Sequence, residues 1–444
     1  WKMLMSALAA GRGVSLPSLS AAAAAFAAHT TGAYARVRAQ FGMSVGKFEG
    51  IQERLARIAG NAYLLDGARR LTCAGLDLGH HPAVIASIMK LHATEKMRVV
   101  VNDAMDVHGG KAIIEGPNNY LASLYRAIPV GITVEGANIL TRSLMVFGQG
   151  AIRAHPYLLD EVRALGDADA SRALARFDDR LWRHVGHFIR NALRTLLRSW
   201  SGGFFAPAPA RAGRARRFYR QLSRYSAAFA MTSDIAFLTL GGELKRRELL
   251  SARLGDILSE IYLASAALKR WHDEGQQKAD WPLLHYCMET SFAEIERRFD
   301  EIFANMPLAP VRAMLRFFVM PFGRRRRGPS DRLVRQVADV LLVPSATRDR
   351  LTDGLYRGRS GEALARLDHA FRLVDEVQPI KDRLPEARIK NWSDAIDDGL
   401  LSAEDRGRLE AADHAIAEVI AVDEFAPGEL SGRSGLAVFR QAAE

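Results

Sequence analysis

The 444-residue chain is too long for one ordinary hydrophobic core, so two or three domains are expected, and its 48% hydrophobic and 25% charged content is that of a soluble globular protein. With only Cys73 and Cys287 it can build neither a disulfide framework nor a cysteine zinc cluster, which fits a reducing compartment. The net charge of +11 is uneven, +6 over residues 1–150, +11 over 151–330 and −6 over 331–444, so the middle third points to an anionic partner: a lipid surface, a nucleic acid or a phosphorylated ligand.

The opening "WKMLMSALAAGRG" reads as the middle of a helix, and an N-terminal part is expected before Trp1. Arg12 and Pro17 argue against a signal peptide there. In 45–77 the series Phe48, Ile51, Leu55, Ile58, Ala62, Leu65 alternates spacings of three and four, one apolar stripe on a long helix. Its expected partners are the alanine-rich 14–36, the segment from Pro82 to about Val107, with Pro82 suited to a first helical turn, and 137–150. Together they make an antiparallel bundle of long helices, interrupted by a loop at 109–119.

Past residue 155 further helices are expected at 171–200, 213–253, 254–275, 283–304, 330–342, 361–376 and 403–422, with a Gly/Pro/Ala-rich break after Trp200. No sustained strand alternation occurs, so the fold class is all-α: a bundle at 1–155, a second helical region at 156–425 and a tail at 426–444. No run of about 18 apolar residues is present that could span a bilayer.

Spacing removes several chemistries. The chain has no Glu-x-x-His tetrad for a di-iron bundle, no HExxH, and neither a Walker nor a GxGxxG loop, and no metal site is expected. Glu135 is a lone carboxylate in the apolar run "PVGITVEGANILTR" (129–142), where a helix begins. A helix N-terminus favours its ionised form and an apolar pocket opposes it, a balance that suits a general base. A solvated glutamate at a helix start is the plainer reading of the same residues.

Three segments in order, "YARVRAQFGMSVGKFEGIQ" (34–52), "LHATEKMRVVVNDAMDVHGG" (91–110) and "LYRAIPVGITVEGANILTR" (124–142), resemble the C-terminal helical domain of the acyl-CoA dehydrogenases. Residues 156–425, clearest at "LGGELKRRELLSARLGDILSEIY", resemble the extension of the large bacterial long-chain members. The resemblance implies a part of a FAD-dependent enzyme that oxidises long-chain acyl-CoA to trans-2-enoyl-CoA in fatty acid β-oxidation. Its N-terminal helical and middle β-domains would lie outside this chain, so the fragment is expected to be inactive alone.

Glu135 matches the family's catalytic base, and its backbone N–H would polarise the thioester carbonyl. Arg38, Gln40 and Phe41 match positions that touch the FAD of a neighbouring subunit, and Gly109 and Gly110 the glycines that let backbone approach its adenosine and pyrophosphate. Gly136 and Arg12 fall near the substrate; Arg12 is one residue farther from Arg38 than is usual. The implied partners are acyl-CoA, an electron-transferring flavoprotein as acceptor, and a second subunit. Four positions depart from the family pattern: Val134 and Ala137 flank the Glu-Gly pair where tyrosine and threonine are common, Asp106 replaces a glutamine, and Lys111 replaces an aromatic residue.

Residues 313–328, "AMLRFFVMPFGRRRRG", set Phe317 and Phe318 beside Arg324, Arg325, Arg326 and Arg327, and "LLRSWSGGFF" has the same texture. Such a segment is too short to cross a bilayer but suits docking on an anionic membrane, which would place the protein in the bacterial cytoplasm at the inner membrane. A core-packed helix end with a solvated arginine loop fits the residues equally. Nucleic acid is not an expected partner, because no reading element is present. The alternative to an enzyme is a helical scaffold or membrane-docking module of the same descent.

Overall fold

A computed structural model describes residues 2–80, 82–150, 155–384, 392 and 400–425. The expected tail at 426–444 lies outside the described residues. Among the described residues the fold is all-α apart from one tiny hairpin.

Helix α1 spans Lys2–Val37 and carries Pro17 within it. Strands β1 (Ala39–Gln40) and β2 (Met43–Ser44) pair antiparallel, Ala39 with Ser44 and Gln40 with Met43. Then come α2 (Glu49–Asp77), α3 (Ala83–His108), the one-turn α4 (Gly110–Ile113), α5 (Ala122–Thr133) and α6 (Asn138–Leu140), which runs on as a π-helix over Thr141–Gln149. The second half holds α7 (Leu158–Leu165), α8 (Ala170–Trp200), α9 (Arg216–Leu240), α10 (Glu248–Asp273), α11 (Trp281–Asn305), α12 (Ala309–Val319), α13 (Asp331–Leu342), α14 (Ala346–Leu351), α15 (Ala363–Lys381) and α16 (Ala403–Ile420).

Three boundaries differ from the sequence reading. The helix expected over 213–253 stops at Leu240, because Gly241 takes φ 49 and a 3-10 turn runs through Gly241–Lys245 before α10. The loop at 109–119 contains α4, and the helix expected from residue 45 begins at Glu49, because 43–47 are spent on β2 and a 3-10 turn.

The chain divides into two compact units: Trp1–Ala25 with Ala56–Val100 and Ile128–Val337, and Phe26–Leu55 with Val101–Ala127 and Ala338–Glu444. In the first unit the centre is α10 against α11, where Leu254, Ile257 and Leu263 are buried, as are Leu284, Met288 and Phe292. Close approaches need glycine: a Cβ on Gly60 would stand 2.5 Å from the Tyr286 ring, and one on Gly255 3.3 Å from Val146. The π-helix is fastened here by Arg142, which gives Asp256 a two-pronged ion pair at 2.9 and 2.6 Å. In the second unit Ala33, Tyr34 and Val37 of α1 share a core with Leu367 and Phe371 of α15 and Val419 of α16.

Candidate functional site

Helix α5 ends at Thr133, and the chain turns through Glu135 at φ 54 and Gly136 at φ 96 before α6 begins. Positive φ is routine for Gly136 but costs a β-carbon-bearing glutamate about 1 kcal/mol, so something must hold it. Lys90 of α3, 0% exposed, lies beneath the turn: its ammonium donates to the carbonyls of Ile132 (3.2 Å) and Gly136 (2.7 Å) and to Asn138 Oδ1 (2.6 Å). Burial pulls the Lys90 pKa down, with the Arg12 charge adding to the effect, while Glu135 and Glu95 oppose it. The Asn138 amide in turn donates to Thr94 Oγ1 (2.9 Å) and Glu95 Oε1 (2.8 Å), and the Thr141 hydroxyl donates to the Gly136 carbonyl (3.2 Å). One carbonyl left over where α5 ends, that of Ile132, is thus satisfied by a buried cation.

Around Glu135 the structure gathers residues that are distant in sequence. The Ser15 hydroxyl, which donates to the Gly11 carbonyl at 3.0 Å, lies 3.4 Å from Glu135 Oε1. An Arg12 guanidinium nitrogen lies 3.9 Å from where a Cβ on Gly136 would stand, and Arg12 reaches Ser87 Oγ at 3.5 Å and Met145 Sδ at 3.8 Å. Arg12 Nε is buried with no acceptor. The Glu135 backbone N–H has no hydrogen-bond acceptor among the described residues. Glu135 is not enclosed, however. The apolar pocket expected around it is absent from the described residues, for Val134, Leu140 and Ile139, the last 82% exposed, point their apolar surface to solvent.

The residues matched to FAD belong to the second unit. Phe41 (φ 53) and Gly42 (φ 81) form the hairpin turn, and these two positive values match a type I′ turn. The Phe41 ring is 87% exposed, with only an edge contact to Phe48 at 6.3 Å. Gln40 is exposed, and half-buried Arg38 meets no carboxylate among the described residues. Gly109 has φ 58, and a Cβ on Gly109 or Gly110 would meet nothing within 4 Å, so backbone is open to a ligand at both. An unpaired guanidinium, an exposed amide, an exposed ring and bare glycine backbone fit a cofactor with an aromatic ring system and a pyrophosphate. Lys111 is turned away from such use, its ammonium donating to the Ala421 carbonyl at 2.8 Å. Asp106 is exposed.

Sequence reasoning passed over His108. It is buried at the end of α3, stacked on Tyr34 at 4.3 Å. Its Nδ1 faces the Ala104 carbonyl at 2.8 Å and must donate there, so Nε2 accepts from the Tyr120 hydroxyl at 2.9 Å. Burial pushes the His108 pKa down to about 4 and keeps the ring neutral immediately before Gly109. Lys90 and Asn138 were missed as well, although "ASIMKL" places a lysine amid apolar residues and was the available signal.

The arginine run needs a correction. Arg326 does not face outward: it pairs with Glu289 at 3.1 Å, and the backbone N–H groups of Arg325 and Arg326 both donate to buried Glu296, at 2.7 and 2.8 Å. Phe318 is half-buried, while Phe317, Arg324, Arg325 and Arg327 are exposed. Also in the first unit, His155, His184 and Asp234 come close enough together for a metal ion. Yet His155 Nδ1 accepts the N–H groups of Tyr157 and Leu158 (3.2 and 3.1 Å), so its proton sits on Nε2 and is donated to Asp234 at 2.9 Å. In that tautomer the lone pair of Nδ1 is taken by backbone N–H groups and Nε2 carries the proton, so His155 has none free for a metal.

Residues 152–425 match the family described as acyl-CoA dehydrogenase, C-terminal, bacterial type, and residues 1–146 match the acyl-CoA dehydrogenase C-terminal domain. The probable acyl-CoA dehydrogenase FadE10 of Mycobacterium tuberculosis is 24% identical over 328 residues, 70% of this chain and 48% of that protein. A 3-(aryl)acrylate reductase of Clostridium sporogenes is 31% identical over 140 residues, 30% of this chain and 35% of that protein. The fold resembles that of an acyl-CoA dehydrogenase from Bacillus anthracis solved with FAD, with a TM-score of 0.59 at 16% identity over 76% of this chain and 56% of that one. The chain spans about half the length of the mycobacterial relative it matches.

Proposed function

The chain belongs to the acyl-CoA dehydrogenase family, and from that premise we propose that it supplies the base-bearing part of a flavoenzyme that converts a long-chain acyl-CoA to the trans-2-enoyl-CoA in β-oxidation. The observation that carries this reading is the Glu135 turn, a carboxylate held at φ 54 over a buried lysine with Arg12 and Ser15 beside it. Backbone strain of this kind persists where the surroundings fix it, and it gathers at active sites.

Glu135 takes the α-proton of the thioester onto its carboxylate. The α-carbon is a weak acid, so the thioester oxygen needs a donor as negative charge develops on it, and the unpartnered N–H of Glu135 is available. The Ser15 hydroxyl stands beside the carboxylate, and Arg12 offers a cation to an anionic part of the substrate. Lys90 keeps the turn closed so that base and N–H stay in one register. FAD is the cofactor and, when bound, accepts the β-hydrogen as hydride, for which Arg38, Gln40, Phe41, Gly109 and Gly110 supply the contacts. A second subunit completes the flavin site, the reoxidant is an electron-transferring flavoprotein, and the exposed apolar rim at Val134, Ile139 and Leu140 is closed by protein outside this chain.

The test uses the full-length protein. Glu135→Gln retains flavin absorbance but loses bleaching of that absorbance by acyl-CoA, by at least a thousandfold in rate. Turnover at the wild-type rate would mean that the turn is a scaffold and not a base. A series of acyl chain lengths run on the wild type reads the substrate preference.

A further inference from the structure

Helix α8 is built inside out. Its buried line is polar, Asn191, Thr195 and Ser199, set against α9 and neighbouring helices of the same unit. Its solvent side is apolar: Trp182, Val185, Ile189, Leu193, Leu197 and Trp200 are all exposed, Trp182 by 72% and Leu193 by 56%. Their spacings of three, four, four, four and three put them on one face of a straight helix. At 1.5 Å per residue the stripe is about 27 Å long.

Beside the stripe, about a quarter-turn round, run Arg183, Arg190 and Arg194. Arg183 pairs with Asp179 at 3.0 Å, whereas Arg190 and Arg194 meet no carboxylate among the described residues. The stripe continues past the end of the helix. The Trp200 indole donates to the Phe317 carbonyl at 3.1 Å and packs on the rings of Phe317 (5.1 Å) and Phe322 (5.6 Å). Arg325 lies 4.2 Å over Phe322, and Arg220 lies 5.3 Å over exposed Phe204. An apolar ridge with a tryptophan at each end is therefore rimmed by guanidinium groups.

We propose that this face of α8, with Phe204, Phe317 and Phe322, is a docking surface for a membrane containing anionic phospholipid, on which the helix lies in plane. The charge decides between occupants. A second copy on the same face would bring Arg190 and Arg194 against the like-charged rim of its twin, whereas phosphate headgroups neutralise the rim while the side chains of the stripe enter the acyl boundary. None of the described helices is long and apolar enough to cross a membrane, which fits an in-plane helix. The face takes in part of the expected segments, through Phe317, Phe322 and Arg325 of 313–328 and Trp200 and Phe204 of "LLRSWSGGFF", but α8 carries most of the stripe, and Arg326 is occupied by Glu289.

The test is flotation of the full-length protein with phosphatidylethanolamine vesicles, with and without phosphatidylglycerol, read alongside tryptophan emission and light scattering. Wild type co-floats with the phosphatidylglycerol vesicles, with blue-shifted emission, and binding weakens as salt rises. Arg190→Ser/Arg194→Ser lowers partitioning about 30-fold, from about 1 kcal/mol per arginine near the surface. Leu193→Asp/Leu197→Asp, at exposed positions, keeps its helical circular dichroism and loses vesicle binding. Glu135→Gln binds vesicles like wild type, so failure of docking and failure of the catalytic reading are separable. The proposal is overturned if wild type stays with the dense fraction, if the Asp variant floats unchanged, or if that variant instead halves the solution mass, which would assign the stripe to a second copy.

Discussion

Two turns in this chain share a backbone and differ in what lies beneath it. Glu135-Gly136 adopts φ 54 and 96, and Phe41-Gly42 adopts φ 53 and 81. Under the first lies a buried ammonium bonded to carbonyls on both sides of the turn. The second rests on local chain, the two-rung hairpin, the Val45 N–H donating to the Arg38 carbonyl at 2.8 Å and the Ser44 hydroxyl to the Ala35 carbonyl at 2.7 Å. A strained residue over a buried charge is fixed before any ligand arrives, which is what the role proposed for Glu135 requires. The exposed Phe41 ring on its two-rung hairpin has no such buried charge beneath it among the described residues.

The largest expected break in that comparison is Lys90→Met. The change removes a donor from three oxygens, of which the Gly136 carbonyl keeps the Thr141 hydroxyl and Asn138 Oδ1 is left buried, which costs roughly 2–4 kcal/mol of folding stability. Turnover of the full-length enzyme should fall at least a hundredfold as the Glu135 turn relaxes, with little change in bound flavin, since the Phe41 hairpin does not depend on Lys90. Urea denaturation and flavin absorbance measure the two effects. A variant with normal stability and turnover would show that the turn needs no support.

Acid should act on the second unit through His108. Its folded pKa of about 4 lies below the unfolded value of 6.5, so the unfolded chain takes up the proton first as pH falls. Stability is therefore full above pH 6.5 and declines towards pH 4, by about 3 kcal/mol over that window. In His108→Gln this share of the slope disappears, which denaturation midpoints across the window would reveal. A wild-type midpoint flat between pH 6.5 and 4 would contradict the burial of a neutral ring before Gly109.

Most of the helices were legible, because amphipathic periodicity is strong in long segments: the 45–77 stripe buries Leu55, Ile58, Ala62 and Leu65 as its spacing requires. The break at Gly241 was missed because apolar residues continue through it, so periodicity ran on where backbone conformation did not. At the site, Glu135 and Gly109-Gly110 were singled out through motif order, which is local information. Lys90, Ser15 and Arg12 converge on Glu135 from other helices, and no local pattern encodes which oxygen a buried ammonium will face. The arginine run misled for the same reason: composition gives charge, while Glu289 and Glu296, which hold Arg326, lie about thirty or more residues away. On α8 the apolar line is visible in the sequence, but only its exposure shows that the buried line is the polar one.

The finest test of the two turns exchanges the strained residue itself. A β-carbon at φ near 54 costs about 1 kcal/mol, and glycine removes that cost. Phe41→Gly also loses an edge contact with Phe48, and its hairpin is otherwise local, so its stability should change by less than about 1 kcal/mol in either direction. Glu135→Gly gives up a 3.4 Å contact with Ser15 and the attraction of its carboxylate for the Lys90 ammonium, so it should gain somewhat less than the full ~1 kcal/mol while turnover vanishes. Thermal unfolding of both variants beside wild type reads the difference directly. A Glu135→Gly protein no more stable than wild type would mean that the contacts of the glutamate in the free protein repay its conformation, and that the turn stores no strain for the base to use.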